Sequence, residues 1–413
     1  MLAPSLEAQR ALNLKTLTWR SFLVGWRMHL VRAVWQPFVL SLGASMSLVG
    51  LLESIGGWSG IVSTAMLPLG GLLSDRRGRR GFVILASVLT VASLVLYAVA
   101  GWLQDWRWLL PGVLLVGATA ISRPALDALT AESAVAGAYG LAYGRVMTSF
   151  AMAGVVAPAL GGWLAGRYGF VLVLLLGIAL ELVVGLLVVA SLKELCRQHS
   201  QEALHLSDVL ATLKRLFVPP VRLRAFYAAV TMDIIAFGIG SAILPGMLRE
   251  TYHFSTLQLG ILGSISSVTW AVSQMYFAHV VDKRGCVRML IFSEILGVVL
   301  TGAWLFSRSF AAFAAVEVLA GILPATWVPA YMAWIAKSVP EQERAEEMGR
   351  LGAFRGLWGF PAPYIGGLLY DAFGIHLPIL INMLGAAVVV VMLWLFVREP
   401  EMADPDVPVT ASP

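Results

Sequence analysis

"GGLLSDRRGRR", residues 70–80, ends a long apolar run with one aspartate and four arginines. The burst stands out because the chain is poor in charge. Asp, Glu, Lys and Arg make up 13% of its 413 residues, against 59% hydrophobic residues, and the charged share is about half that of soluble domains. Mean hydropathy is +0.81. This composition reads as a polytopic membrane protein rather than two or three soluble domains. The formal charge of +5 then reflects Lys and Arg held on one side of a bilayer, not a nucleic-acid surface.

A spanning helix needs about 20 mostly apolar residues. Such runs lie at 19–42, 48–73, 82–103, 108–130, 140–165, 170–192, 223–248, 256–281, 287–306, 310–336, 348–370 and 375–397. They read as helices, because every backbone polar group must be satisfied inside lipid and barrel strands are shorter. With the N-terminus inside, nineteen of the 29 Lys and Arg fall on one side, including the cluster at 76–80 and six from Lys193 to Arg224. The other side holds Arg107, Arg167, Arg249 and Arg308. The asymmetry predicts a multi-pass protein of the plasma (inner) membrane with both termini cytoplasmic. The first twenty residues lack the apolar core and cleavage site of a signal peptide. Cys196 and Cys286 both fall on the cytoplasmic side, where a disulfide is not expected.

The longest polar stretch, 193–224, divides the spans into two sets of six. Within it, Leu206, Leu210, Leu213 and Phe217 share one helical face, which predicts a helix lying at the membrane surface. The flanking sets align on each other. "GRVMTSFAMAGVVAPALGG" from Gly144 and "GRLGAFRGLWGFPAPYIGG" from Gly349 share Gly, Arg, Ala-Pro and Gly-Gly at an offset of 205. Pro124 falls on Pro329, and "DRRG" at 75–78 lies near the offset of "DKRG" at 282–285. The expected architecture is all-α: 12 transmembrane helices in two six-helix bundles related by a pseudo-twofold repeat. The bundles are residues 1–192 and 225–413, joined by a cytoplasmic linker at 193–224. Parallel repeats of this kind suggest a transporter with its substrate site between the halves near mid-membrane.

Residues 71–80 read Gly-x-x-x-Asp-Arg-x-Gly-Arg-Arg, which resembles the signature between helices 2 and 3 of the major facilitator superfamily. Span 5 carries Gly144, Ala153, Ala157-Pro158 and Gly161-Gly162. It is similar to the helix 5 "antiporter" motif of that superfamily's proton-driven drug exporters, with Ala in place of Gly at 153 and 157. The resemblance implies that Asp75 faces the N-terminal end of helix 11 as a cytoplasmic latch, since an anion is favoured at a helix N-terminus. The arginines alone fit a topology signal, but Gly71, Asp75 and Gly78 call for a gate. With Asp75, the gate candidates are Gly71, Arg76, Gly78, Arg79, Arg123, Asp127, Arg145, Arg355 and the echo at Asp282. Arg123 and Asp127 stand four apart and share a helix face. A static ion-pair cluster is the competing reading of these intramembrane charges.

The resemblance also implies that helices 1, 4, 7 and 10 line the cavity. Arg27, Arg32, Trp35 and Gln36 of span 1 become binding candidates, together with Trp327 and Tyr331 of span 10. Two arginines would suit a carboxylate, unless they pair with acids of the protein. Asp233 in span 7 is the leading proton-coupling candidate, with an Arg32–Asp233 pair across the cavity as one arrangement. Glu181, Glu53 and Glu317 rank lower, and Glu294 reads as a snorkelling residue. The six histidines show no metal-ligand spacing, and no phosphate loop or serine-nucleophile motif occurs. No enzyme activity, cofactor or nucleic-acid partner is expected. The expected partners are a small-molecule substrate, a coupling proton and membrane lipids, around a monomer. The resulting expectation is a proton-coupled, alternating-access exporter of small amphipathic organic compounds. The alternatives are an uptake permease for an organic anion and a non-transporting sensor or scaffold.

Overall fold

A computed structural model describes residues 6–57, 59–135, 139–195, 218–340 and 343–400. The surface helix expected at 206–217 lies outside the described residues, as does Cys196; Cys286 is a buried free thiol. The spanning helices are α1 (Leu6–Ser41), α2 (Met46–Gly56 and Ile61–Arg77), α3 (Arg79–Leu103), α4 (Leu109–Ala118 and Arg123–Ser133) and α5 (Tyr139–Tyr168). They continue as α6 (Phe170–Ser191), α7 (Arg224–Gly240 and Leu244–Tyr252), α8 (Thr256–Arg284) and α9 (Cys286–Phe306). The last three are α10 (Phe310–Ser338), α11 (Arg344–Gly359 and Ala362–Phe373) and α12 (His376–Phe396). One membrane face carries the start of α1 and the end of α12, and is called the terminal face below. The opposite one is the loop face.

Four of the expected continuous runs are interrupted, that of α4 by a 3-10 turn at Thr119–Ser122. The second segment of α7 starts beside Pro245 and that of α11 beside Pro361, where a missing N–H and a steric clash end the preceding turn. The break in α2 follows Gly56 and Gly57, the latter with extended backbone. Helix α1 starts well before its apolar run. Its polar first turns dock through Asn13, which donates to the Lys193 carbonyl at 2.7 Å and accepts the Lys193 N–H at 3.0 Å. Eight described helices are both long and apolar enough to cross a bilayer. Those that fall short are α1, α2, α8 and α11, all of which meet the opposite half.

The repeat explains how the helices meet. Added Cβ atoms at Gly161 and Gly366, equivalent at the offset of 205, would stand 2.4 Å and 2.1 Å from Leu30 O and Ile239 O. Those oxygens belong to α1 and α7 of the same half. The next glycines face the opposite half. A Cβ at Gly162 would stand 2.1 Å from Thr256 O of α8, and one at Gly367 would stand 2.3 Å from Met46 O of α2. Each Gly-Gly pair lets one helix approach its own half on one side and the other half on the other. A second equivalence lies at the terminal face. Gly78 and Gly285, at φ +89° and +90°, start α3 and α9. The carboxylates of Glu194 and Glu399, again 205 apart, cap those helices through the N–H groups of Arg79 and of Cys286 and Val287. A carboxylate there satisfies orphan donors and complements the helix dipole.

The apolar cores are distributed unevenly between the faces. Toward the loop face one cluster joins both halves, running from Trp35, Phe38 and Leu52 to Met247, Phe254 and Phe313. Toward the terminal face the cores separate. One, around Phe226, Tyr331 and Trp334, belongs to the second half; the other, around Leu17, Val83 and Leu129, belongs to the first. Added Cβ atoms at Gly140, Gly144, Gly349 and Gly352 would meet nothing within 4 Å. The described halves are thus held together on the loop face and apart on the terminal face.

These contacts predict opposite signs for glycine substitutions. Gly162→Val and Gly367→Val should each lower the detergent-solubilised melting temperature, because overpacking against backbone costs about 1–3 kcal/mol. Gly349→Ala should hold or raise it, since Ala in a helix interior is favoured by roughly 0.5–1 kcal/mol.

Candidate functional site

In the first half, the buried charges belong to α1 and its neighbours. Arg27 Nε stands 2.7 Å from Glu181 Oε2 of α6, an ion pair whose N–H is not aimed along the hydrogen-bond direction. Glu181 is 2% exposed, and Arg20 also bears on it electrostatically. One turn further, Arg32 donates to Glu53 Oε2 of α2 at 3.1 Å. The Arg32 side chain is 48% exposed, while that of Glu53 is 4%. Gln36 completes the row. Its Nε2 donates to the Ala242 carbonyl at 2.7 Å, and its Oε1 accepts the Gly246 N–H at 2.8 Å. Both belong to the break in α7, so Gln36 fastens the two halves near the loop face.

The second half carries its own cluster. Arg355 of α11 donates to Asp233 Oδ2 of α7 at 3.2 Å and to the Val230 carbonyl at 3.2 Å. Its guanidinium also lies 5.4 Å from the Tyr331 ring centroid on α10. The carboxyl of Glu294, from α9, is 4% exposed and lies within hydrogen-bonding reach of Asp233. Two carboxyl groups therefore share one guanidinium. Asp233, Glu294 and Arg355 stand about 12–16 Å from the terminal-face ends of their helices at 1.5 Å per residue, near mid-depth of a hydrocarbon core about 30 Å thick.

The geometry corrects several expectations. Arg32 and Asp233 do not pair; each finds its partner within its own half, because a desolvated charge takes the nearest counter-ion. Arg355 is not joined to Arg123, Asp127 and Arg145 but belongs to the Asp233 cluster. Glu294 does not snorkel, since its side chain turns inward to Asp233. Trp35 packs against Tyr97, with ring centroids 4.6 Å apart, inside the core. Trp327 is 8% exposed and belongs to the same apolar cluster as Tyr331.

At the terminal face, Arg79 pairs with Glu132 of α4, and Arg123 and Asp127 interact along one helix face. Tyr143 of α5 donates to the Asp127 carbonyl at 2.6 Å. Arg145 is exposed and forms no ion pair among the described residues. Gly71 faces Pro124 of α4, and Arg76 sits in the last turn of α2. The side chains of Asp75 and Asp282 lie outside the described residues. The helix 5 motif is a packing surface. Pro158 lies against Gly260 and Gly263 of α8, Ser264 Oγ accepts the Ala159 N–H, and Thr256 Oγ1 donates to the Gly162 carbonyl at 2.7 Å. Gly144 meets nothing at its free side. Sequence reasoning passed over Asp371, at the loop-face end of α11, whose carboxylate accepts the N–H groups of Met46 and Ser47.

Two six-helix bundles in parallel repeat, closed on one face and holding a charge cluster near mid-depth, define the architecture of a secondary transporter. The sequence profile of the Major Facilitator Superfamily matches residues 21–243 and 226–410, and the chain belongs to that family. It is a multi-pass membrane transporter resembling the family's drug:proton antiporter branch. The multidrug resistance protein MdtG of Salmonella paratyphi C (strain RKS4594) is 26% identical over 372 residues, covering 87% of this chain and 89% of that protein. MdtG of Citrobacter koseri is likewise 26% identical over 372 residues, with 87% and 88% covered. Among solved structures, the human organic anion transporter MFSD10 (TETRAN) matches with a TM-score of 0.69 at 17% identity, over 95% of this chain and 100% of that one. The D-xylose-proton symporter matches at 0.70 and 15%, over 94% and 97%. At these identities the structural matches speak to the fold alone.

The Arg27–Glu181 pair yields a test. Arg27→Leu or Glu181→Leu alone should each lower stability, the latter by about 3–5 kcal/mol because it strips the counter-ion from Arg27 and Arg20, whereas the double variant should lose less than the sum of the two. Detergent melting temperatures read both. Additive losses would show that the two residues act independently.

Proposed function

We propose that the protein is a proton-coupled exporter of small amphipathic organic compounds, working by alternating access with its terminal face in the cytoplasm. The observation that carries the coupling is the buried trio Asp233, Glu294 and Arg355. Two carboxylates facing one guanidinium leave an excess negative charge, which is costly in a low-dielectric interior. A proton held on the carboxyl pair neutralises it. Arg355 also ties α11 to α7, and α11 forms part of the terminal-face opening. Protonation of Asp233 weakens that tie, so the state of the trio acts on the position of the gate helix. Outward direction rests on the similarity to proteins named for multidrug resistance, and cytoplasmic placement of the terminal face on the asymmetry of Lys and Arg.

Arg32 favours a second reading, uptake of an organic anion. Its guanidinium is about half exposed and already holds one carboxylate, Glu53. A substrate carboxylate could compete for it through the same charge-assisted geometry. A thermal-shift comparison separates the two. The exporter reading expects stabilisation by lipophilic cations; stabilisation by organic anions alone, lost in Arg32→Ala, would replace it.

For the coupling site, proteoliposomes loaded with ethidium provide the assay. Asp233→Asn should abolish efflux driven by a pH gradient while sparing ethidium exchange at equal pH on both sides. Glu294→Gln should weaken the pH dependence without removing exchange. Undiminished gradient-driven efflux in the Asp233→Asn/Glu294→Gln double variant would refute the assignment.

A further inference from the structure

Helices α2 and α11 lie antiparallel across the junction between the halves. Their loop-face segments are closely packed. A Cβ at Gly50 would stand 2.1 Å from Pro363 O, and one at Gly367 would stand 2.3 Å from Met46 O. Ser54 Oγ accepts the Tyr364 N–H at 3.1 Å. At the loop-face end of the same pair, Asp371 Oδ1 accepts the Met46 N–H at 3.1 Å and Oδ2 accepts the Ser47 N–H at 2.9 Å. These are two of the orphan donors that open α2, and an anion there is also favoured by the helix dipole. The bond pair crosses from the second half to the first, so opening the loop face must break it.

Asp75 lies near the other end of this pair, in the closing turns of α2 at the terminal face, on the side where α11 begins with Arg344. Each helix of the pair thus carries an acid in its closing turns. In the present conformation the terminal-face ends are apart, with free space at Gly349 and Gly352 of α11. We propose that Asp371 is a gating residue of the transport cycle, the loop-face counterpart of Asp75. The two acids cap the same helix pair alternately, Asp371 when the protein opens to the terminal face and Asp75 when it opens to the loop face. The breaks in both helices, after Gly56 and around Pro361, let the two ends move separately. The loop-face latch is a carboxylate on backbone N–H groups rather than an ion pair, so it forms without a partner cation. Tyr370, which shares a 2.9 Å hydrogen bond with Thr251 of α7, holds the adjacent end of α11 to its own half and keeps Asp371 presented toward α2.

This inference rests on the alternating-access reading, and its test reads conformation without any substrate. Spin labels on cysteines at Ser41 and Phe373 report the loop face, and at Arg77 and Gly349 the terminal face, in a Cys196→Ser, Cys286→Ala background. Asp371→Asn should increase the fraction of long Ser41–Phe373 distances about three- to tenfold, the equivalent of one lost carboxylate at a helix N-terminus, and shorten the Arg77–Gly349 distances. Asp75→Asn should act in the opposite sense, and the double variant should return toward the unsubstituted distribution. Asp371→Glu, which keeps the carboxylate, should stay near the unsubstituted distribution. An unchanged loop-face distribution in Asp371→Asn, or equal behaviour of the Asn and Glu variants, would overturn the proposal. The expected shifts in a protein that drives no pH-dependent ethidium efflux from proteoliposomes would instead count against the export reading and leave the latch standing.

Discussion

A charge inside hydrocarbon must be neutralised by something within reach, and this requirement organises the molecule. Arg27 answers Glu181, Arg32 answers Glu53, and Arg355 answers Asp233 and Glu294, each inside one six-helix half. Because each of these ions finds its partner within its own half, the described contacts between halves can do without buried ion pairs. They include an apolar cluster, glycine-to-backbone approaches, hydroxyl hydrogen bonds to backbone, Gln36 on the broken α7, and a carboxylate on the first N–H groups of α2. Contacts of that kind are individually weak and can be remade, which suits two bodies that move against each other.

The same division explains the unequal faces. One apolar cluster spans both halves on the loop side, while two separate clusters serve them on the terminal side. The pseudo-twofold repeat supplies matched parts to both halves: Gly161-Gly162 and Gly366-Gly367 for helix approach, Glu194 and Glu399 for capping α3 and α9. Yet the repeat is broken where function asks for asymmetry. Among the described residues, the second half alone brings two carboxyls onto one guanidinium, and the first alone exposes an arginine, Arg32, at comparable depth. The proton coupling proposed above calls for asymmetric charge on a symmetric scaffold, since protons and cargo are then handled at distinguishable places.

Much of this was legible in the sequence. Hydropathy located the twelve spans, and the offset of 205 picked out Gly161, Gly162, Gly366 and Gly367, each of which meets the backbone of another helix. What stayed hidden was rotation about each helix axis. Counting residues sets the depth of Glu294 and Glu53 but not the direction in which they point, so Glu294 read as a snorkelling residue and Arg32 was paired with Asp233 across the cavity. Helix breaks were hidden for a related reason: the residues flanking Pro245 and Pro361 are as apolar as an unbroken span. Asp371 drew no notice because an acid near a helix end reads as solvated, and only the fold brings the start of α2 beside it.

The claim that most needs direct measurement is that the coupling proton resides on the Asp233–Glu294 pair. Purified protein in weakly buffered detergent solution with a pH-sensitive dye, titrated with tetraphenylphosphonium, reports proton release on binding. The unsubstituted protein should release protons as the cation binds. The Asp233→Asn/Glu294→Gln variant should bind the cation with no release. Equal release from both proteins would place the coupling proton elsewhere and contradict the account.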